Sequence, residues 1–407
     1  MIRYRPSVAG LVATVMGAAT ISVTTAHPAV AVPLSGCPAL FILGVQGTGQ
    51  SSPTADPLSD TGVVGSLIGP VVAAVPELVQ RSYIAYQAGF GGIVPGGGDD
   101  PYTQSVAQAR TALDVAAQQI IDSCPETMLA GVGYSQGAQA MSSFARDVGA
   151  GAGSVPADRV AAVALYANPD RATMEPVFPG RPDQTTPDPA PGTAGAAVSM
   201  VQILAAPASG AGIATSAQGY GALTGRVADV CSDGDLACSA PANTSLLRWG
   251  AQVLAQADLT DPLAALTTVN HTLAHALGSA WNAVILNDFH VSGGAVTYLP
   301  EMRLGERLVE AADPRGADTD ASAAGAHWDQ ITAAIAADPA QLGPVLAQLV
   351  GAVAELATDN ADVVNPAVWL RFADTVGRHN SYAQTGQLSS GTAWMIALAH
   401  DLAGARS

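Results

Sequence analysis

The pentapeptide Gly133-Tyr134-Ser135-Gln136-Gly137, near the middle of the chain, is the segment that most constrains the fold. It follows an apolar run at residues 127–132 and precedes a helix-forming segment at residues 138–148. A buried strand that turns sharply into a helix at Gly-x-Ser-x-Gly is typical of a nucleophile elbow, whose strained turn exposes the serine hydroxyl. The flanking glycines leave room for a close backbone approach. Because the chain contains 43 glycines, the pentapeptide alone is a weak signal, and its context must support the prediction.

The first 31 residues predict a signal peptide. Arg3 and Arg5 precede an apolar stretch at residues 8–23, and Ala29-Val30-Ala31 is a small-residue cleavage site. One alternative is a retained membrane anchor, which the Thr and Ser residues of the stretch disfavour. Another is lipidation of Cys37, which would leave an odd number of cysteines to pair. We therefore expect a secreted chain, extracellular or in the cell envelope, without a transmembrane span after cleavage.

Four cysteines fit an exported protein, because disulfides persist in oxidising compartments. Cys231 and Cys238 enclose only six residues, so we expect them to pair with each other and Cys37 to pair with Cys124. Four cysteines allow three pairings, and the sequence alone leaves the other two open.

The formal net charge of −17 limits the partners of the chain. A protein this acidic is repelled by nucleic acids and by anionic bilayers. We therefore expect neither nucleic acids nor anionic bilayers as partners. We also expect the chain to be a monomer.

Apolar strands that alternate with amphipathic helices predict an α/β fold with a doubly wound parallel sheet. The predicted strands lie at residues 40–45, 83–86, 127–132, 160–166 and 226–230, and the main helices at 105–121, 138–148 and 392–402. In such sheets, sites form at the carboxyl ends of the strands. Thr48, Ser135 and the loop that begins at Cys231 all fall at these ends.

Two stretches interrupt this alternation. Residues 171–223 are rich in Pro, Gly, Ala and Ser, which predicts irregular structure. Residues 243–375 predict a mostly helical inserted subdomain. The predicted organisation is a signal peptide at 1–31, the first part of the main domain at 32–242, the helical insertion at 243–375, and a return to the main domain at 376–407.

A nucleophilic serine needs an acid and a base, which follow it in that order in this fold class. Asp235 lies between Cys231 and Cys238, and a bridge between those cysteines would fix its carboxylate. Asp233 is the alternative, although its position before a glycine is typical of a turn aspartate.

Six histidines follow the predicted cleavage site. His379 is the preferred base because it precedes the final helix, where we expect a loop, and His290 is the alternative. His271 and His275 are four positions apart on a predicted helix and could form a metal pair. No glutamate follows His271 as in a zinc-protease motif, and no third ligand is evident, so we expect neither a metal nor a cofactor.

Together these motifs resemble the cutinase family of serine esterases, particularly its secreted actinobacterial members. The matching segments occur in the same order along the chain: Cys37-Pro38, Gly47-Thr48, Cys124-Pro125, Gly133 to Ala138, Cys231-x-x-Gly234-Asp235-x-x-Cys238 and His379-x-x-Tyr382. Several motifs in order are more specific than any one of them. The resemblance covers about residues 37–170, 226–238 and 377–403.

The resemblance implies an α/β-hydrolase fold, a secreted serine esterase without a cofactor, and the cysteine pairing given above. It implies that Ser135 is the nucleophile, Asp235 the acid and His379 the base, with Thr48 and the Gln136 amide forming the oxyanion hole. The implied substrates are carboxylic esters of short to medium acyl chains, cutin-like or polyester-like. Related actinobacterial proteins act on envelope lipids or as phospholipases and thioesterases, which are the alternatives.

Two features depart from the family pattern. Gln46 stands where the family usually has an arginine, and Asp235 and His379 are 144 positions apart. Most of the intervening insertion, including His290, has no family counterpart. The insertion could be a lid or an acyl-chain channel, or else a packing or docking appendage. A secreted binding protein that kept the fold and lost catalysis is the alternative from another class, which the complete serine, acid and histidine set disfavours.

Overall fold

The structure is a computed structural model that describes residues 32–214 and 218–406. The predicted signal peptide lies outside the described residues. A parallel sheet of five strands forms the centre, in the order β2-β1-β3-β4-β5. The strands are β1 (Leu40–Val45), β2 (Val79–Tyr83), β3 (Met128–Tyr134), β4 (Val160–Tyr166) and β5 (Val227–Val230).

Helices connect and follow these strands. Within the described residues they are α1 (Gly62–Ala74), α2 (Tyr102–Ser123), α3 (Gln136–Gly149), α4 (Leu236–Ser239), α5 (Ser245–Ala255), α6 (Pro262–Asp288), α7 (Leu304–Ala312), α8 (Ala321–Ala337), α9 (Leu342–Thr358), α10 (Pro366–Leu370), α11 (Thr375–His379) and α12 (Gln387–Arg406). The parallel sheet with its connecting helices confirms the predicted α/β class.

Both faces of the sheet are covered. Successive residues of β1 alternate between the faces, so Leu40 and Ile42 join one buried cluster while Phe41 and Leu43 join the other. Helices α1 and α12 pack together on the first face, and α2 and α3 pack together on the second. The central strands are continuous apolar runs because they are buried on both sides.

The strand order places a crevice beside Ser135. The order reverses at β1, which lies between β2 and β3. In open α/β sheets, ligands bind in the crevice outside the carboxyl ends of the strands at such a switch point. Thr48 lies just after β1, Ser135 directly follows β3, and the loop that contains Asp235 follows β5.

Two elements of the main domain differ from the sequence-based expectation. Strand β2 occupies Val79–Tyr83 rather than residues 83–86. As an edge strand it carries the polar Gln80 and Arg81, which hide its pattern. Helix α1 was not predicted, because Gly65, Gly69 and Pro70 in its interior disfavour a helix in isolation. Tertiary packing overrides that local preference, since Leu67 and Ile68 are fully buried.

The stretch rich in proline and glycine follows β4. Its described residues contain two short 3-10 turns and a single isolated bridge, between Ala211 and Ala240. Buried Arg171 organises part of it by donating hydrogen bonds to the backbone oxygens of Glu175 and Ala208. Side chain–backbone hydrogen bonds thus replace regular secondary structure here.

The chain leaves the sheet after α4, and the insertion contains helices α5 to α10. Mostly helical structure was expected here, and the structure adds an antiparallel hairpin of β6 (Phe289–Ser292) and β7 (Ala295–Tyr298). Gly293 and Gly294 join the strands with φ of 59° and 82°, the backbone geometry of a two-residue hairpin turn. The hairpin escaped prediction because each strand has only four residues, too few to show a clear alternation.

The insertion has a small core of its own. Its buried side chains come from α6, the hairpin, α8 and α9, and they are Val284, Ile285, Phe289, Val296, Tyr298, Ala324, Ile331 and Val345. Among the described residues, one helical segment, Pro339–Thr358, is long and apolar enough to cross a membrane by length and composition alone. It packs on β7 and α7, while Leu346 and Val350 on its outer side are exposed.

Both expected cysteine pairings are present in the structure. The Cys37–Cys124 bridge joins residues 87 positions apart and ties the start of the described chain to the end of α2. The Cys231–Cys238 bridge joins residues seven positions apart and closes the loop that follows β5. The first bridge therefore constrains a large part of the main domain, and the second constrains one loop.

Removal of the two bridges should have separable effects. Because chain-entropy stabilisation grows with loop length, replacing Cys37 and Cys124 by serine should lower the free energy of unfolding by about 4–5 kcal/mol. Replacing Cys231 and Cys238 should cost only about 2–3 kcal/mol but should cause the larger loss of the ester hydrolysis that the family resemblance implies, because Asp235 lies in that loop. Urea denaturation and ester hydrolysis by the two double variants measure both effects. The reverse ranking in either assay would contradict this expectation.

Candidate active site

Ser135 occupies a strained turn between β3 and α3. Its backbone has φ 53° and ψ −120°, a conformation that residues with a side chain rarely adopt. A Cβ atom added at Gly137 would lie 2.2 Å from the backbone oxygen of Val45, and one at Gly133 would lie 2.8 Å from the oxygen of Gly137. The Ser135 N–H donates to the backbone oxygen of Tyr166, 2.9 Å away. Gly137 is therefore required for the approach of α3 to β1, and Gly133 for the approach of α3 to β3.

Three side chains from distant segments form a continuous hydrogen-bonded chain. His379 Nε2 lies 2.9 Å from Ser135 Oγ. His379 Nδ1 lies 2.9 and 3.0 Å from the two carboxylate oxygens of Asp235. When Nδ1 carries the proton, the imidazole donates to Asp235 and its Nε2 lone pair accepts from the serine hydroxyl. The geometry can therefore move a proton from Ser135 to His379.

The Asp235 carboxylate is buried and held in place. It caps α4 by accepting from the Ala237 N–H at 3.0 Å, and it accepts from the Tyr382 hydroxyl at 2.7 Å. The Ser232 N–H donates in turn to the Tyr382 oxygen at 3.1 Å. Burial, together with the nearby charge of Asp235, raises the pKa of Tyr382 well above its usual value. The phenol therefore stays protonated and keeps donating to Asp235.

His379 is the last residue of helix α11, whereas the sequence predicted a loop position. The Tyr134 hydroxyl donates to the backbone oxygen of His379 at 2.7 Å, and the two rings lie 5.2 Å apart. At the other end of α11, Thr375 Oγ1 accepts from the Leu236 N–H at 2.8 Å. The contact of Tyr134 with His379 was not predicted, although Tyr134 lies inside the Gly-x-Ser-x-Gly motif.

The rival residues lie elsewhere or serve other contacts. Asp233 accepts from the backbone N–H and the hydroxyl of Ser209, at 3.1 and 2.9 Å. His290 is exposed on β6, where it pairs with Thr297 across the hairpin. His275 lies 3.4 Å from Asp318 at an exposed site. In the part of the chain that the structure describes, no group of three or more His, Cys, Asp or Glu residues is placed to hold a metal ion.

Thr48 and Gln136 are the two residues expected at the oxyanion hole. Thr48 borders the same cavity as Ser135, and Gln136 is the first residue of α3, so its N–H lies at a helix N-terminus. The Gln136 side chain is buried and donates to the Gly89 backbone oxygen at 2.9 Å. That contact leaves the backbone N–H, rather than the side chain, as the group of Gln136 available at the site.

Gln46, which departs from the family pattern, has a structural function. Its Oε1 atom accepts from the Val64 N–H at 3.2 Å, and its Nε2 atom donates to the Thr61 backbone oxygen. These contacts hold the N-terminus of α1, whose first N–H groups lack partners inside the helix. At this position, where the family usually has an arginine, the neutral amide of Gln46 supplies both a donor and an acceptor to the start of α1.

A cavity of about 820 Å³ opens beside Ser135. Both the main domain and the insertion contribute to its walls. The apolar lining comes mainly from α2, α4 and α5 and consists of Phe90, Tyr102, Val106, Ala107, Ile213, Leu236, Ala251, Leu254, Ala255 and Val376. Its volume and apolar character are those of a small-molecule binding site.

A buried carboxylate joins the insertion to the main domain beside this cavity. Asp170 is fully buried and forms ion pairs with Arg315 at 2.7 Å and Arg146 at 3.3 Å. It also accepts from Gln139 at 3.1 Å. Burial raises the pKa of Asp170, and the two arginine charges oppose that shift. Because Arg315 belongs to the insertion, its loss would leave part of this buried charge unpaired.

This cluster was not predicted, because its members are isolated residues of the turn after β4, of α3 and of the insertion. Asp170 follows β4 in an Asn-Pro-Asp turn, and Arg315 lies in a loop between α7 and α8. Only the tertiary fold places them side by side.

Comparison with known proteins identifies the family. The family model for cutinases matches residues 37–247. The chain is 30% identical over 220 residues to a carboxylesterase Culp6 homolog of Corynebacterium glutamicum, a match that covers 51% of this chain and 67% of that relative. The family match ends before α11, so it includes Ser135 and Asp235 but not His379.

Solved structures are also similar. The catalytic core domain of acetyl xylan esterase from Trichoderma reesei is 21% identical, with a TM-score of 0.36, and the match covers 58% of this chain and 99% of that one. A cutinase-like protein from Cryptococcus sp. is 18% identical, with a TM-score of 0.32, over 50% of this chain and 81% of that one. Since the family match spans more than half of the sequence, this chain belongs to the cutinase family of serine carboxylic ester hydrolases.

Proposed function

We propose that this protein is a secreted esterase that cleaves carboxylic esters through an acyl-enzyme on Ser135. The observation that carries the proposal is the continuous hydrogen-bonded chain from Ser135 through His379 to Asp235. Export is supported by the predicted signal peptide and by two disulfides, which suit an oxidising compartment. The proposal extends to cutin-like, polyester or lipid esters, with a phospholipase or thioesterase on the same triad as the alternative.

In the first step, Ser135 Oγ attacks the ester carbonyl carbon while its proton moves to His379 Nε2. The buried carboxylate of Asp235 holds the imidazole in the tautomer that can accept this proton and stabilises the imidazolium that forms. The tetrahedral intermediate then collapses, the bond from carbon to the alcohol oxygen breaks, and His379 donates its proton to the leaving alcohol. The acyl group remains on Ser135.

The negative charge on the carbonyl oxygen needs donors that are fixed before the reaction. We assign this function to the Gln136 N–H and to the hydroxyl or N–H of Thr48. The N-terminus of α3 adds a partial positive charge beside the oxyanion. In the second step, His379 removes a proton from water, which attacks the acyl carbon, and the acid leaves as Ser135 regains its proton.

Loss of the nucleophile should abolish turnover without loss of the fold. We expect Ser135→Ala to lower kcat by at least about 10³-fold, as removal of a triad member does in other serine hydrolases. Turnover of p-nitrophenyl butyrate and labelling by a fluorophosphonate probe measure this, with circular dichroism as the folding control. Equal labelling of the variant and the wild type would exclude Ser135 as the nucleophile.

The choice of base can be tested with two histidine variants. His379→Ala should abolish the acylation burst with activated esters, because Ser135 would lack a proton acceptor. His290→Ala is the matched control, because that side chain is exposed on the hairpin, and it should keep the burst within a few-fold. Loss of the burst in the His290 variant alone would show that the insertion supplies the base.

A further inference from the structure

The cavity beside Ser135 is lined by apolar side chains from two parts of the chain, with the polar Thr103, Gln104 and Arg110 of α2 also at its border. Val106 and Ala107 lie on α2 of the main domain, and Ala251, Leu254 and Ala255 lie on α5 of the insertion. These side chains are small or aliphatic and have no hydrogen-bonding groups. The walls suit an unbranched hydrocarbon chain, because such a chain gains free energy from burial without needing a polar partner.

The length of the cavity can be compared with that of a fatty acyl chain. Its lining along α2 runs from Tyr102 to Arg110, about 12 Å at a helical rise of about 1.5 Å per residue. An extended peptide spans about 3.5 Å per residue over three backbone bonds, or about 1.2 Å per bond. We take the same advance per bond for an extended hydrocarbon chain. The α2 wall can therefore accompany about ten carbons, far more than an acetyl group needs.

The surroundings of His379 indicate which part of an ester enters the cavity. His379 delivers a proton to the leaving alcohol, and its neighbours Val376 and Asn380 are exposed on the rim of the cavity. The alcohol can therefore leave towards solvent past this rim. The acyl chain, which stays attached to Ser135 through both steps, is then directed between α2 and α5.

We propose that α5 of the insertion and α2 of the main domain form an acyl-chain site, and that this site makes the enzyme selective for esters of fatty acids of about ten carbons or more. The inference rests on the proposed role of Ser135. It assigns the insertion a direct part in substrate selection.

One polar atom interrupts the α5 wall. Gln252 is buried, and its Oε1 atom has no hydrogen-bond partner. A hydrocarbon chain cannot satisfy that oxygen, so Gln252 reduces the gain from burial. Gln252→Leu should therefore raise kcat/KM for long-chain esters, whereas variants that fill the cavity should lower it.

The test uses p-nitrophenyl esters from acetate to palmitate. For the wild type, kcat/KM should rise with acyl length by up to about 4-fold per methylene, since each buried CH₂ contributes about 0.8 kcal/mol, and should level off near ten carbons. Ala251→Trp and Ala107→Trp place an indole in the cavity. Each should lower kcat/KM for decanoate by at least about 10-fold and leave acetate within about 3-fold.

The matched control is Ala347→Trp, on the exposed side of α9, which does not line the cavity; it should change neither substrate. Equal losses on acetate and decanoate, or no loss on decanoate, would overturn the acyl site. So would a larger effect of Ala251→Trp on dodecyl acetate than on ethyl dodecanoate, because the cavity would then hold the alcohol.

A binding assay separates this inference from the proposed function. Ser135→Ala should bind laurate in isothermal titration calorimetry, and the double variant with Ala251→Trp should bind it at least about 10-fold more weakly. If these binding results are obtained but the wild type does not hydrolyse esters, the proposed esterase function is wrong and the fatty-acyl site is supported. Turnover of acetate without laurate binding would keep the esterase and reject the site.

Discussion

The strained backbone of Ser135 is the constraint on which the rest of the site depends. A residue with a side chain holds φ 53° only where its surroundings enforce it. Here the close approach of Gly137 to Val45 and the hydrogen bond to Tyr166 supply that enforcement. The buried strands β1 and β4 thus fix the direction of the serine hydroxyl, and the topological switch point gives it an open crevice.

The sequence was sufficient for the parts of the fold that rest on local pattern. The buried strands β1 and β4 have the predicted bounds, because apolar runs between turn residues specify them. Helix α1 and strand β2 were missed or displaced, because the packing of a proline-containing helix and the pairing of an edge strand are tertiary effects. The pairing of Asp235 with His379 was predicted from a resemblance in motifs, because two residues 144 positions apart give no local signal. The cluster around Asp170 had no sequence signal.

The insertion begins shortly after the loop that contains Asp235 and ends where the helix of His379 begins, so its two ends must meet beside Ser135. Contacts at its C-terminal end ensure this. Arg378 donates to the Asp233 backbone oxygen at 2.9 Å, and Arg371 donates to Ser209 and to the Ser239 backbone oxygen. These contacts tie the returning chain to the segments around the Cys231–Cys238 loop. A long insertion is therefore compatible with a fixed distance between acid and base.

The proposed acyl site would couple substrate selection to catalysis. Helix α5 follows the acid loop by only a few residues, and it supplies one wall of the cavity. Arg315, further along the insertion, secures the other side through the buried Asp170. A shift of the insertion would separate Arg315 from the buried Asp170 and leave that carboxylate with fewer partners, which is unfavourable. In the proposed acyl site, a hydrocarbon chain between α2 and α5 would therefore lie against a helix whose insertion is attached to the main domain at Asp170.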